Sequence, residues 1–93
     1  MQLKNKKNKK NKLPGPDCLS VKQTEVLALY AACFSLTQMA DKLNMSEKTV
    51  DTHMTRIREK LNTKFTKILI PYAYHHNLIT PEQVMNLYYN NEI

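Results

Sequence analysis

SEKTVDTHMTRIREKL, residues 46–61, places Val50, Met54, Ile57 and Leu61 at spacings of four, three and four. That is the period with which an α-helix buries one side. Turning about 100° per residue, the opposite side carries Lys48, Asp51, Thr52, Thr55 and Glu59, with Arg56 and Arg58 on the two flanks. The outward groups are short, polar and hydrogen-bonding, which suits base edges in a DNA major groove. Ser46 is positioned to cap the helix by accepting from the amide of Thr49. An ordinary amphipathic surface helix would show the same period, so the neighbouring sequence has to decide.

Just upstream, SLTQMADKLNMS spans residues 35–46. Ser35 and Gln38 have capping-box spacing, S-x-x-Q. Met39, Ala40 and Leu43 form a short apolar stripe, and Asn44 stands where this helix must stop. Asparagine tolerates the left-handed conformation better than other non-glycine residues. A short helix, a tight turn and a longer second helix over 47–61 predict a helix-turn-helix.

The remaining chain supplies supporting helices. Ser20 and Gln23 repeat the S-x-x-Q pattern and start a helix that buries Val26, Leu27, Leu29 and Tyr30 and ends near Ala32 or Cys33. Glu25 lies among those residues and reads as a first-turn charge or ion-pair partner rather than a catalytic acid. After the long helix, Asn62 is a candidate left-handed stop. Phe65, Ile68, Leu69, Tyr72, Ala73 and Leu78 support a fourth helix, closed by Asn77. Pro71 lies within it; a helix-interior proline costs ~3 kcal/mol, so a kink or a late start is expected. Thr80-Pro81-Glu82-Gln83 then starts a fifth helix over 81–90, with a threonine cap, proline in the first turn and Gln83 completing the box. Val84, Leu87 and Tyr88 share one side of it. This helix serves either as a cover for the core or as a partner surface.

Bulk properties agree with a small all-α domain. The chain has 93 residues, 42% hydrophobic and 24% charged, and a single glycine. No apolar run approaches the ~20 residues of a membrane span, and the lysine-rich start lacks the apolar segment of a secretory signal. A cytoplasmic location is therefore expected, and DNA binding through residues 46–58 would place the chain at the nucleoid. Cys18 and Cys33 lack metal-site spacing and read as reduced thiols. No cofactor site is legible: there is no phosphate-cradling glycine loop. Cys18, Cys33, His53, His75 and His76 do not have the spacing of a nucleophile with its base. An enzyme is not expected.

The net charge of +6 is unevenly distributed. Residues 1–16 hold six lysines (Lys4, Lys6, Lys7, Lys9, Lys10 and Lys12) and no acid, whereas residues 17–93 hold eight basic and eight acidic residues. The segment KNKKNKKNK cannot bury apolar surface and is expected to be a disordered tail. It is either a sequence-blind phosphate anchor or a solvated linker remnant. Pro14, Gly15 and Pro16 mark the linker's end, so residues 17–93 are expected to form the domain.

With these pieces in order, the chain resembles the LuxR-type (NarL/FixJ or GerE-like) helix-turn-helix family of bacterial transcription regulators. The resemblance covers residues 19–79 without gaps. It rests on LSVKQTEVL (19–27), MADKL (39–43), Ser46, Thr49 and Val50, His53, I-x-x-KLN (57–62) and A-x-x-x-NLI (73–79). It implies a four-helix domain, here with a short extra C-terminal helix, whose third helix enters the major groove of double-stranded DNA. The family's fourth helix commonly forms a dimer contact. Carried over by position, Asp51, Thr52 and Thr55 match base-reading places. Lys48, Thr49, His53, Arg56 and Arg58 match places facing or flanking the backbone. A homodimer through helix four (65–79) or the C-terminal helix is expected.

The departures from the family are also informative. Asp51 stands where the family commonly has Lys or Arg; a carboxylate there repels phosphate yet can accept from a cytosine amino group. Phe65 and Thr66 replace a Ser-Arg pair, and Cys33, Asn62 and Asn77 stand at family glycines. Most family members carry a receiver or ligand-sensing domain ahead of the reader, and none lies in these residues. Two modes are compatible with that: constitutive action set by abundance, or service as the DNA-binding part of something longer. The resemblance therefore implies a small transcription regulator. A contrasting expectation, from Asp51, Glu59 and the charge balance, is a protein-binding module that pairs with a larger regulator.

Overall fold

The computed structural model describes residues 13–91, with side chains described to Tyr89. The six tail lysines lie outside the described residues. Five α-helices follow in order: α1 (Val21–Ala31), α2 (Leu36–Leu43), α3 (Glu47–Lys60), α4 (Leu69–His75) and α5 (Pro81–Asn91). Short 3-10 turns at Pro16–Cys18 and Thr66–Ile68 precede α1 and α4. There is no strand among the described residues, and no described helix is long and apolar enough to cross a membrane.

Local signals set where the helices begin. Ser20 Oγ accepts from the Gln23 amide and Gln23 Oε1 accepts from the Ser20 amide; Ser35 with Gln38 and Thr80 with Gln83 repeat the reciprocal pair. Ser46 Oγ accepts from the Thr49 amide at 3.0 Å. These bonds satisfy amides that a helix start leaves without intrahelical partners.

The first four helices also share one way of ending. Cys33, Asn44, Asn62 and Asn77 adopt left-handed backbone angles, with φ of 70°, 56°, 58° and 57°. Beyond each, the next amide reaches back to close the last turn: Phe34 to Leu29 O, Met45 to Ala40 O, Thr63 to Arg58 O and Leu78 to Ala73 O. This is the six-to-one closure usually built on glycine, made here without one.

The helices bury a single core. Val26, Leu27, Ala31 and Ala32 come from α1 and its end, Met39 and Ala40 from α2, Val50, Met54, Ile57 and Leu61 from α3, and Leu69, Tyr72 and Ala73 from α4. The inward stripe of α3 is thus the one its spacing predicts, with Leu61 fully buried just past the last helical residue. α1 packs against α3 and α4, and α2 packs against α3. Gln23 is the one buried polar residue among those described. Its Oε1 also accepts from Lys60 Nζ at 2.9 Å, so the start of α1 is tied to the end of α3. Glu25 is exposed and pairs with Lys22 at 3.0 Å, a surface contact of small energetic weight.

Helix four departs from the expected 65–79 span. The chain turns through Thr66–Ile68 and α4 proper occupies Leu69–His75. Pro71 therefore falls in the first turn, where its missing N–H costs nothing. Of the two expected accommodations, the late start is the one found.

α5 covers the core at the α1–α2 turn. Val84 and Leu87 pack against the core. Tyr88 stacks on Phe34 with ring centroids 4.9 Å apart, and its hydroxyl donates to Ala32 O at 2.6 Å. Lys42 Nζ also lies over the Phe34 ring, 4.9 Å from its centroid. At the other end of the chain, Leu13 packs against the core and Pro14 O accepts from Tyr72 Oη at 2.6 Å. The described body thus begins before residue 17.

Candidate nucleic-acid interface

α2 and α3 are joined by Asn44, Met45 and Ser46, and a side-chain bond fixes their meeting. Thr37 Oγ1 donates to Glu47 Oε2 at 2.7 Å, linking the first turn of α2 to the first residue of α3. Ten residues separate the pair, and nothing in the sequence pattern pointed to it. Thr49 adds a local contact, its Oγ1 accepting from Ser46 Oγ at 2.9 Å.

The outward side of α3 is solvent-exposed at Lys48, Thr49, Asp51, Thr52, Arg56 and Glu59. It is polar because the inward positions take all of the helix's aliphatic residues. The two threonines turn back on the helix: Thr52 Oγ1 donates to Lys48 O at 3.0 Å and Thr55 Oγ1 donates to Asp51 O at 3.1 Å.

Two residues differ from their expected placement. Thr55 is half-buried rather than fully outward. Arg58, expected on an open flank, is also half-buried; its guanidinium donates to Thr55 Oγ1 at 3.2 Å and to Thr66 Oγ1 at 3.4 Å. Thr66, one of the departures from the family pattern, supplies the acceptor that draws Arg58 toward the turn before α4. His53 is half-buried on the opposite flank. The strip therefore brings Lys48, Asp51, Thr52 and Arg56 to solvent on one face, while Thr55 and Arg58 form a bonded pair at its end.

Two other surfaces are apolar and open. Phe65 and Ile68, before α4, are 70% and 41% exposed. Met85 and Tyr89, on α5, are 48% and 69% exposed. Among the described residues no group of His, Cys, Asp and Glu is arranged to hold a metal ion, and both cysteines are free and exposed.

Comparison with known proteins bears on this geometry. Residues 17–73 match the GerE family, described as bacterial regulatory proteins of the luxR family. The chain is 39% identical over 61 residues to the oxygen regulatory protein NreC of Staphylococcus carnosus, covering 66% of this chain and 28% of that protein. It is 30% identical over 79 residues to the response regulator protein VraR of Staphylococcus aureus, covering 85% of this chain and 37% of that protein. The chain thus spans between about a quarter and two fifths of the length of these curated relatives. The profile match falls on α1 to α4, the helices that build and support the α2–α3 pair, and the chain belongs to the luxR family of bacterial regulatory proteins.

Proposed function

We propose that this chain binds double-stranded DNA in a sequence-specific manner, with α3 in the major groove, as the reading domain of a bacterial transcription regulator. The observation that carries the proposal is the exposed polar strip of α3, on the second helix of a helix-turn-helix. Asp51, Thr52 and Thr55 face base edges in this reading. Lys48, Thr49, His53, Arg56 and Arg58 face or flank the phosphates. Lys4, Lys6, Lys7, Lys9, Lys10 and Lys12 add sequence-blind phosphate contacts. The protein acts in the cytoplasm at the nucleoid, as a homodimer that covers either Phe65 and Ile68 before α4 or Met85 and Tyr89 on α5.

A gel-shift series with promoter duplexes over a range of salt tests this. Binding that weakens steeply with salt is expected; absence of binding at low salt, with or without residues 1–12, rejects it. Arg56→Ala should weaken binding to all duplexes alike.

A second reading is a module that docks on a larger regulator. It is favoured by the balanced charge of residues 17–93 and by the acids Asp51 and Glu59 on the outward strip. Sedimentation with a candidate regulator separates the two: a complex that forms without DNA, and that Asp51→Ala disrupts, favours docking.

A further inference from the structure

The hydrogen-bonding capacity left free on the α3 strip is uneven, and that selects a base. Thr52 and Thr55 have each donated their hydroxyl hydrogen to the backbone one turn back. Thr55 Oγ1 also accepts from Arg58. These threonines can offer a groove their methyl groups and little more than a lone pair. Lys48 and Asp51 make no side-chain hydrogen bond or ion pair among the described residues, although they stand three apart on one face, where such pairs can form. Lys48 offers only donors and a carboxylate offers only acceptors. Both lie in the first turn and a half of α3, the part of a recognition helix that usually meets base edges.

A group that only accepts needs a donor on the groove floor. The major-groove edges provide two: the N4 amino group of cytosine and the N6 amino group of adenine. Adenine sets its N7 acceptor beside N6, facing the carboxylate with like-signed charge. Guanine offers only acceptors there, and thymine an acceptor and a methyl group. Cytosine alone presents a donor with no acceptor beside it on the same base. Its partner guanine carries O6 and N7, which suit the ammonium of Lys48.

Resting on the DNA-reading proposal above, we infer that Asp51 is the specificity-determining residue of α3, that it selects a half-site with cytosine in register with it, and that Lys48, placed above with the phosphate-facing residues, instead reaches a guanine at or next to the same base pair.

Selection from a randomised duplex library, with the full chain and with Asp51→Asn, tests the inference. The wild type should enrich a motif containing a cytosine whose replacement lowers affinity about tenfold. Asp51→Asn should lose that preference, and gain of adenine at the same place would match asparagine's paired donor and acceptor. A wild-type motif without such a cytosine, or one that Asp51→Asn leaves unchanged, overturns the role of Asp51 while DNA reading stands. Failure to enrich any duplex, together with failure to bind DNA at low salt, overturns both.

Discussion

Cys33 holds a φ of 70° that an L-residue with a side chain adopts at some cost. Its thiol does little to offset this, lying 3.9 Å from Ala31 O. Glycine at this position would relieve the backbone but would lose more entropy on folding. The first effect is the larger, so Cys33→Gly should raise stability by up to about 1 kcal/mol in urea unfolding. Cys33→Val, stiff at its branched Cβ, should lower it by more than that. The asparagines at the other three stops were legible as such from the sequence, because asparagine tolerates this region. Cys33 was marked only by standing at a family glycine, because nothing in a cysteine side chain itself announces a left-handed turn. On α3, the same limit applies to Arg58. Its placement on a flank follows from its helical register, but its turn toward Thr66 depends on a loop that the register does not describe.

Among the elements, α4 and α5 divide what could be read locally from what could not. Pro71 announced an interruption without saying which kind. With the helix beginning at Leu69, the proline sits where its fixed φ is useful. Pro71→Ala should therefore lower stability slightly, by under about 1 kcal/mol, through the freer unfolded chain. A large gain in the melting temperature would mean that the proline strains the helix. α5 was readable as a helix because Thr80, Pro81 and Gln83 are adjacent in the sequence. Its seat was not: the Tyr88 hydroxyl meets Ala32 O across 56 positions. Two tyrosines, Tyr74 from α4 and Tyr88 from α5, donate to the last carbonyls of α1, which has no basic residue in its final turn. Tyr88→Phe should cost about 1 kcal/mol and speed hydrogen exchange across α5 more than across α3.

For the whole molecule, Tyr72 ties α4 to the start of the described chain. Its hydroxyl donates to Pro14 O across 58 positions. Burial, with Cys18 and Asp17 nearby, pushes its pKa from 10.0 up to about 12. The neutral, protonated form is the one the folded state holds. Below pH 10 both states carry the proton, and the full stabilisation is present. Between pH 10 and about 12 the unfolded chain releases it first, so stability falls as pH rises through that window. Tyr72→Phe should be less stable at pH 8 but lose less between pH 9 and 11.5 in chemical denaturation. The charge distribution makes a separate prediction for binding. Removing residues 1–12 takes away six lysines. If each engages a phosphate, the log–log salt slope should fall by about 0.9 per lysine. An unchanged slope would mean that the tail does not touch the duplex.

The four left-handed stops have a kinetic consequence. α1, α2 and α3 each begin on a serine that bonds its own first turn, and each ends on a residue that folds the next amide back. Their limits are specified within a few positions of chain, before any distant partner arrives. The slow part of folding is then the docking of rods whose ends are already settled, with few wrong alignments to search. Such a molecule should reach its native state on the microsecond to millisecond scale of helical bundles.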